Sequence, residues 1–204
     1  MLNLTLPKEE IMIRYFKKAI PLSIIATGIM ASASFADTFT LRVGSGHPSK
    51  PTAYVTNMEK VFVPNIKKRV AAETNHKVRI IEAYAGKIAK VHETLEAVEK
   101  GLLDIGSYCV CFETAKLLPW NFDYFVPFTT TNLETNWAVK HKILKQFPYL
   151  TKMLEDKYNQ KFIAMQGFDD YGLGTVKQWQ KASELKGVKV IAAGPNLPWV
   201  SLFG

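Results

Sequence analysis

VRIIEAYAGKIAKVHETLEAVEKGLLDIGSYCV, residues 78–110, decides the fold class. Val78 to Gly86 is rich in β-branched and aromatic residues and ends at a glycine, the pattern of a strand entering a loop. In KVHETLEAVEKG, Val91, Leu95 and Val98 recur three or four apart, which predicts an amphipathic helix. Gly101 follows at the position where helices end in a left-handed residue. LLDIGSYCV then reads as another strand. A strand, a helix and a strand in this order are the unit of a parallel sheet.

The segments before it extend the pattern. Phe39 to Gly46, FTLRVGSG, alternates apolar and polar residues and breaks at glycines, predicting a first strand that opens into the loop GSGHPSKP. Tyr54 to Glu73 predicts a helix with Val61, Phe62, Ile66, Val70 and Ala71 on one face. Pro64 should kink or split it, because proline has no N–H and its ring crowds the preceding turn. The chain is thus α/β, and in open parallel sheets ligands sit beyond the carboxyl ends of the strands. Those ends are Gly44–His47, Ala83–Gly86 and Tyr108–Phe112.

Beyond them lies an aromatic, proline-rich loop, KLLPWNFDYFVPF. Thr131 to Glu134 has capping-box spacing and predicts a helix through Gln146, with another from Pro148 to near Tyr158. KFIAMQGF, residues 161–168, predicts a fourth strand and DDYGLG a turn. ASELKG predicts a turn or short helix, VKVIAA a fifth strand, and WVSLFG the start of a helix.

The N-terminus carries an export signature. Arg14, Lys17 and Lys18 precede the apolar run Ala19 to Met30, and ASASFAD follows, with Ser34 and Ala36 at the small-residue positions before a cut at Asp37. The run contains Pro21 and falls short of the ~20 residues of a spanning helix. Residues 1–36 therefore read as a cleaved signal peptide, and the mature protein as periplasmic and not membrane-spanning.

The 204 residues have globular composition, with 22% charged and 48% hydrophobic residues and a net charge of +8. Apart from Lys67-Lys68-Arg69 the basic residues are scattered, without interleaved aromatics, which argues against nucleic acid as a partner. There is no zincin, nucleophile-elbow or phosphate-loop motif, and VGSGHP lacks the third glycine of a dinucleotide fingerprint. Neither an enzyme nor a cofactor is expected. Of the four histidines, His47 alone sits at a strand end, and His92 reads as a solvated helix residue. Asp169 and Asp170 follow a strand, where paired acids either act on protons or hold turns. Cys109 and Cys111 would share one face of a strand, a poor geometry for a disulfide, so two buried free thiols are expected. A lone C-x-C lacks the second pair of a zinc site.

Taken in order, TLRVGSGHP, KVRIIEAYAGKIAK, E-x-x-x-A-V-x-x-G-x-x-D-I-G (Glu93 to Gly106), Pro127-Phe128 and ELKGVK (Glu184 to Lys189) resemble the periplasmic solute-binding subunits of TRAP transporters. The resemblance spans Phe39 to the end. It implies a periplasmic-binding-protein-like fold of two α/β lobes that close on a small organic acid and deliver it to a TRAP membrane permease. On that pattern residues 37–160 form the first lobe, and 161–204 the crossing strand and the start of an incomplete second lobe. Such chains run to about 300 residues, two lobes of ordinary size, so this one reads as a fragment that folds poorly and binds weakly alone. Many members carry an arginine at the position of Ile191, where its fork would pair with a ligand carboxylate. Isoleucine cannot do so. The loop AAGPNLPW offers Asn196, Trp199 and backbone amides instead, with Trp199 either a pocket wall or core packing. From their positions at strand ends and following loops, His47, Tyr108, Asp169, Tyr171, Asn196 and Trp199 are the expected pocket residues. A ligand-sensing subunit of a signalling system is an alternative, and a secreted enzyme using GSGHP and FDDYG another.

Overall fold

A computed structural model describes residues 37–126, 129–168, 171–192 and 194–202. The expected signal peptide, Pro127-Phe128 and Asp169 lie outside the described residues. The fold is mixed α/β around a three-stranded parallel sheet of order β2-β1-β3. Strand β1 (Thr38–Gly44) pairs along its whole length with β2 (Lys77–Ala83), Thr38 opposite Lys77 and Gly44 opposite Ala83. On its other side β1 pairs with the short β3 (Ile105–Gly106).

The predicted first helix is present in three pieces, α1 (Ala53–Asn57), a π turn (Met58–Phe62) and α2 (Val63–Glu73). Pro64 lies in the first turn of α2, directly after the π turn. The π turn widens the helix where the missing N–H of proline interrupts the regular bonding pattern. It also shifts the phase of the apolar face. Val63 is buried, whereas Val61 is exposed, contrary to the sequence expectation.

Helix α3 (Thr94–Glu99) follows a 3-10 turn at Val91–Glu93 and ends as expected, with Gly101 at φ +67. It packs closely on the sheet edge: a Cβ at Gly106 would lie 2.5 Å from Val98 Cγ2. Helix α4 (Leu133–Gln146) begins one residue later than predicted, because the Asn132 side chain, and not Thr131, accepts the Thr135 N–H at 2.8 Å. Helix α5 (Tyr149–Tyr158) starts after Pro148 and closes on Asn159 in the left-handed conformation. Leu95, Leu117, Trp120, Leu144, Leu150 and Leu154 form the main core, and the Trp120 indole donates to the Leu150 carbonyl at 3.1 Å.

Two predicted strands are not formed. Residues 161–168 and the described residues 188–192 carry no ladder. An apolar run becomes a strand only when another edge takes up its N–H and C=O groups, and β3 is paired on one side only. The turn near ASELKG is a 3-10 turn at Ala182–Leu185, and WVSLFG begins within helix α6 (Leu197–Ser201). Among the described residues, no helix is long and apolar enough to cross a membrane.

Candidate functional site: a cleft at the carboxyl ends of the strands

The loops after β1 and β2 are pinned together. The Ala85 N–H donates to the His47 carbonyl at 3.0 Å and the Gly86 N–H to the Ser45 carbonyl at 3.3 Å. Gly46 is needed here because a Cβ would lie 2.2 Å from the Val91 backbone nitrogen. This packing sets His47 against helix α1, where its Nδ1 and the Tyr54 hydroxyl are 2.6 Å apart. Phe112 stands between two imidazoles, with centroids 5.2 Å from His47 and 5.3 Å from His92. Burial, and then the neighbouring His92, hold the His47 pKa below its ordinary value.

Tyr54 faces a cleft of about 1020 Å³. One wall is α1, the π turn and α2, with Tyr54, Asn57 and Arg69. The floor is the end of β3 and the residues after it, including Tyr108 and Cys109. The far wall is residues 159–168, with Gln160 and Gln166. The walls meet where the Asn57 amide donates to Gln166 Oε1 at 2.8 Å and where the Tyr54 and Phe168 rings lie edge to face. Burial pushes the Tyr54 hydroxyl up to about 12, so it stays a neutral hydrogen-bonding group at physiological pH.

Tyr108 lines the cleft, but its hydroxyl donates to Gln160 Oε1 at 3.1 Å. The Gln160 amide in turn donates to the Leu95 carbonyl at 2.8 Å, deep in the core. Tyr171 and Trp199 both converge on Tyr124, which itself lines the cleft. The two phenol oxygens are 3.1 Å apart, and the Trp199 indole donates to the Tyr124 carbonyl at 3.2 Å. Burial, and then the Tyr171 hydrogen bond, raise the Tyr124 hydroxyl above its ordinary value. Asn196 ends a short turn at Gly194–Asn196 and makes no side-chain cap bond to α6. Ile191 is 94% exposed and away from the cleft.

The cleft thus brings Tyr108 to its floor and gathers His47, Tyr171 and Trp199 through Tyr54 and Tyr124. Sequence reasoning missed those two tyrosines, together with Asn57 and Gln166. Only the aromatic loop around Tyr124 carried a signal; Tyr54 and Asn57 look like ordinary helix residues. Lys140, on α4, is buried and ion-paired with Asp123 at the cleft wall. Arg69 carries a guanidinium on the opposite wall, closed on Glu73 by two hydrogen bonds of 2.9 and 3.2 Å.

The expectation of two buried free thiols is overturned. Cys109 and Cys111 form a disulfide with Cα atoms 5.2 Å apart, within the usual range for such bonds. The residues are not on a strand. The chain leaves β3 after Gly106, and Cys109 caps a 3-10 turn at Val110–Glu113, accepting the Cys111 N–H on its sulfur at 3.3 Å. That turn brings both sulfurs to one side. Cys111 is buried, while Cys109 is half-buried and lines the cleft.

Among the described residues, no group of three His, Cys, Asp or Glu side chains is arranged to hold a metal ion. No family model, curated protein or solved structure matches the chain.

Proposed function

We propose that the chain is an exported solute-binding protein of the TRAP type, which captures a small organic acid and passes it to a membrane permease. The two-lobe architecture, the leader peptide and the periplasmic location are parts of this reading. One observation carries it: the cleft of about 1020 Å³ beyond the carboxyl end of β3, walled by hydrogen-bonding side chains. Its size suits a small organic ligand, and its place agrees with where parallel sheets hold ligands.

In this reading Tyr54, Asn57 and Gln166 orient the solute. Arg69 supplies the fork that Ile191 lacks, exchanging the Glu73 carboxylate for that of the ligand. Both carboxylates accept two parallel N–H bonds, so the exchange keeps the guanidinium satisfied.

A thermal-shift screen tests the proposal. Dicarboxylates, keto acids, aromatic acids and neutral analogues are added to the chain, and any that bind the native state alone raise its melting temperature by mass action. An acid hit that Arg69→Gln abolishes is the expected result. A cooperative melt that no acid moves would overturn the assignment.

A further inference from the structure

The Cys109–Cys111 disulfide closes a ring across a single intervening residue, Val110. A cross-link stabilises a fold mainly by removing chain entropy from the unfolded state, and that effect shrinks with the enclosed loop. A three-residue loop is close to the minimum. A role as a staple of the fold therefore does not account for the bond. Its position does suggest a role. Of the two residues, Cys109 lines the cleft, with its sulfur 3.9 Å from the Tyr124 hydroxyl, whereas Cys111 is buried and does not line it. Cys109 thus forms part of the wall of the cleft of about 1020 Å³.

We propose that this bond is a thiol–disulfide exchange site that takes low-molecular-weight thiols from the cleft. A thiolate attacks the accessible Cys109 sulfur. The bond from Cys109 to Cys111 breaks, a mixed disulfide forms on Cys109, and Cys111 leaves as a thiolate that takes a proton from water. A second thiol attacks the sulfur of the attached molecule. That sulfur leaves Cys109 within a low-molecular-weight disulfide, and Cys109 takes up a proton as a free thiol. Two thiols are oxidised for each protein disulfide reduced, so electrons balance. Attack falls on half-buried Cys109 and not on buried Cys111, because access decides which sulfur a nucleophile reaches.

The consequence is local. The disulfide fixes the turn that carries Val110, whose carbonyl accepts the Asn121 amide at 3.0 Å, and it sits beside Tyr124, on which Tyr171 and Trp199 converge. Opening the bond releases this side of the cleft from its covalent tie, next to the point where Val110 packs on the leucine core. The site stands whether or not the cleft holds an organic acid.

The test uses the full chain with reduced glutathione, under conditions where circular dichroism shows it folded. Free thiols are trapped with iodoacetamide and the products mapped by peptide mass spectrometry. The expected result is glutathione on Cys109 in the folded chain, formed on the order of tenfold faster than any adduct on Cys111, as accessibility dictates. Cys111→Ser should accept glutathione from its oxidised form at Cys109, and Cys109→Ser should leave Cys111 unreactive until the chain unfolds. A bond that opens only in denaturant, or an adduct that forms on Cys111 as fast as on Cys109, would overturn the proposal. The wild-type measurement decides the matter even if a variant does not fold.

Discussion

The Tyr54 hydroxyl and the His47 Nδ1 lie 2.6 Å apart, joining the loop after β1 to the helix that walls the cleft. The pair is placed by close backbone contact and not by either side chain alone. Gly46 lets the loop lie on the Val91 backbone, and His47 follows it into reach of α1. The pair links the sheet to the cleft, so its chemistry should be visible in both stability and titration.

Tyr54→Phe keeps the ring and removes the hydroxyl. Loss of one partly buried hydrogen bond should cost about 0.5–1.5 kcal/mol. Urea denaturation of the variant and the wild type measures the difference; equal midpoints and slopes would show that the hydroxyl contributes nothing.

His47 should titrate below 6.5, its ordinary value. Tyr54 and Phe112 pack on the ring, with His92 beyond Phe112, and removal from water acts more strongly than the His92 charge. Between the folded value and 6.5 the unfolded chain binds more protons than the folded one, so stability rises with pH there. This contribution is complete above 6.5 and is lost as pH falls through the folded value. Ring-proton NMR should show the low midpoint. His92→Gln should raise it part of the way, since desolvation remains.

Gly46→Ala would set a Cβ 2.2 Å from the Val91 nitrogen and 2.4 Å from the Lys90 carbonyl carbon. Both are backbone atoms, so no side chain can rotate aside. A loss of at least about 1–3 kcal/mol is expected from overpacking of this kind. A thermal melt equal to wild type would mean that the loop lies further from Val91 than described.

Tyr108→Phe separates structural from binding roles. Its hydroxyl satisfies Gln160, which is buried and tied to the Leu95 carbonyl. Leaving Gln160 Oε1 unpaired should cost about 1–3 kcal/mol. If an acid found by thermal shift binds the variant with unchanged Kd while stability falls, Tyr108 belongs to the scaffold of the cleft.

Truncation at the core gives a reference for these values. Leu95 is fully buried between α5 and the 3-10 segment around Trp120. Leu95→Ala should lose about 2–5 kcal/mol, well above the cleft variants; a smaller loss would mean that the core collapses around the gap.

The sequence by itself determined the local elements. Alternation specified β1, a β-branched and aromatic run ending at a glycine specified β2, and the three-four spacing specified α3. Gly101 and Pro148 marked ends that depend only on nearby backbone, while the cap of α4 fell one residue later than read, on Asn132. It also placed Tyr108 at the cleft, through the rule that ligand sites follow parallel strands. Other features rest on partners distant in the chain. Residues 161–168 have the apolar character of a strand, but a ladder needs an edge to pair with, and residue types do not name that edge. Tyr54 and Tyr124 became cleft residues because their elements pack opposite residues 159–168, and the Tyr124 hydroxyl meets that of Tyr171, 47 positions away. The Cys109–Cys111 bond arose because the backbone turned where an extended strand was expected. Periodicity encodes which face of an element is apolar. Only the packed tertiary structure decides which other element covers that face, and therefore which polar groups meet at the cleft.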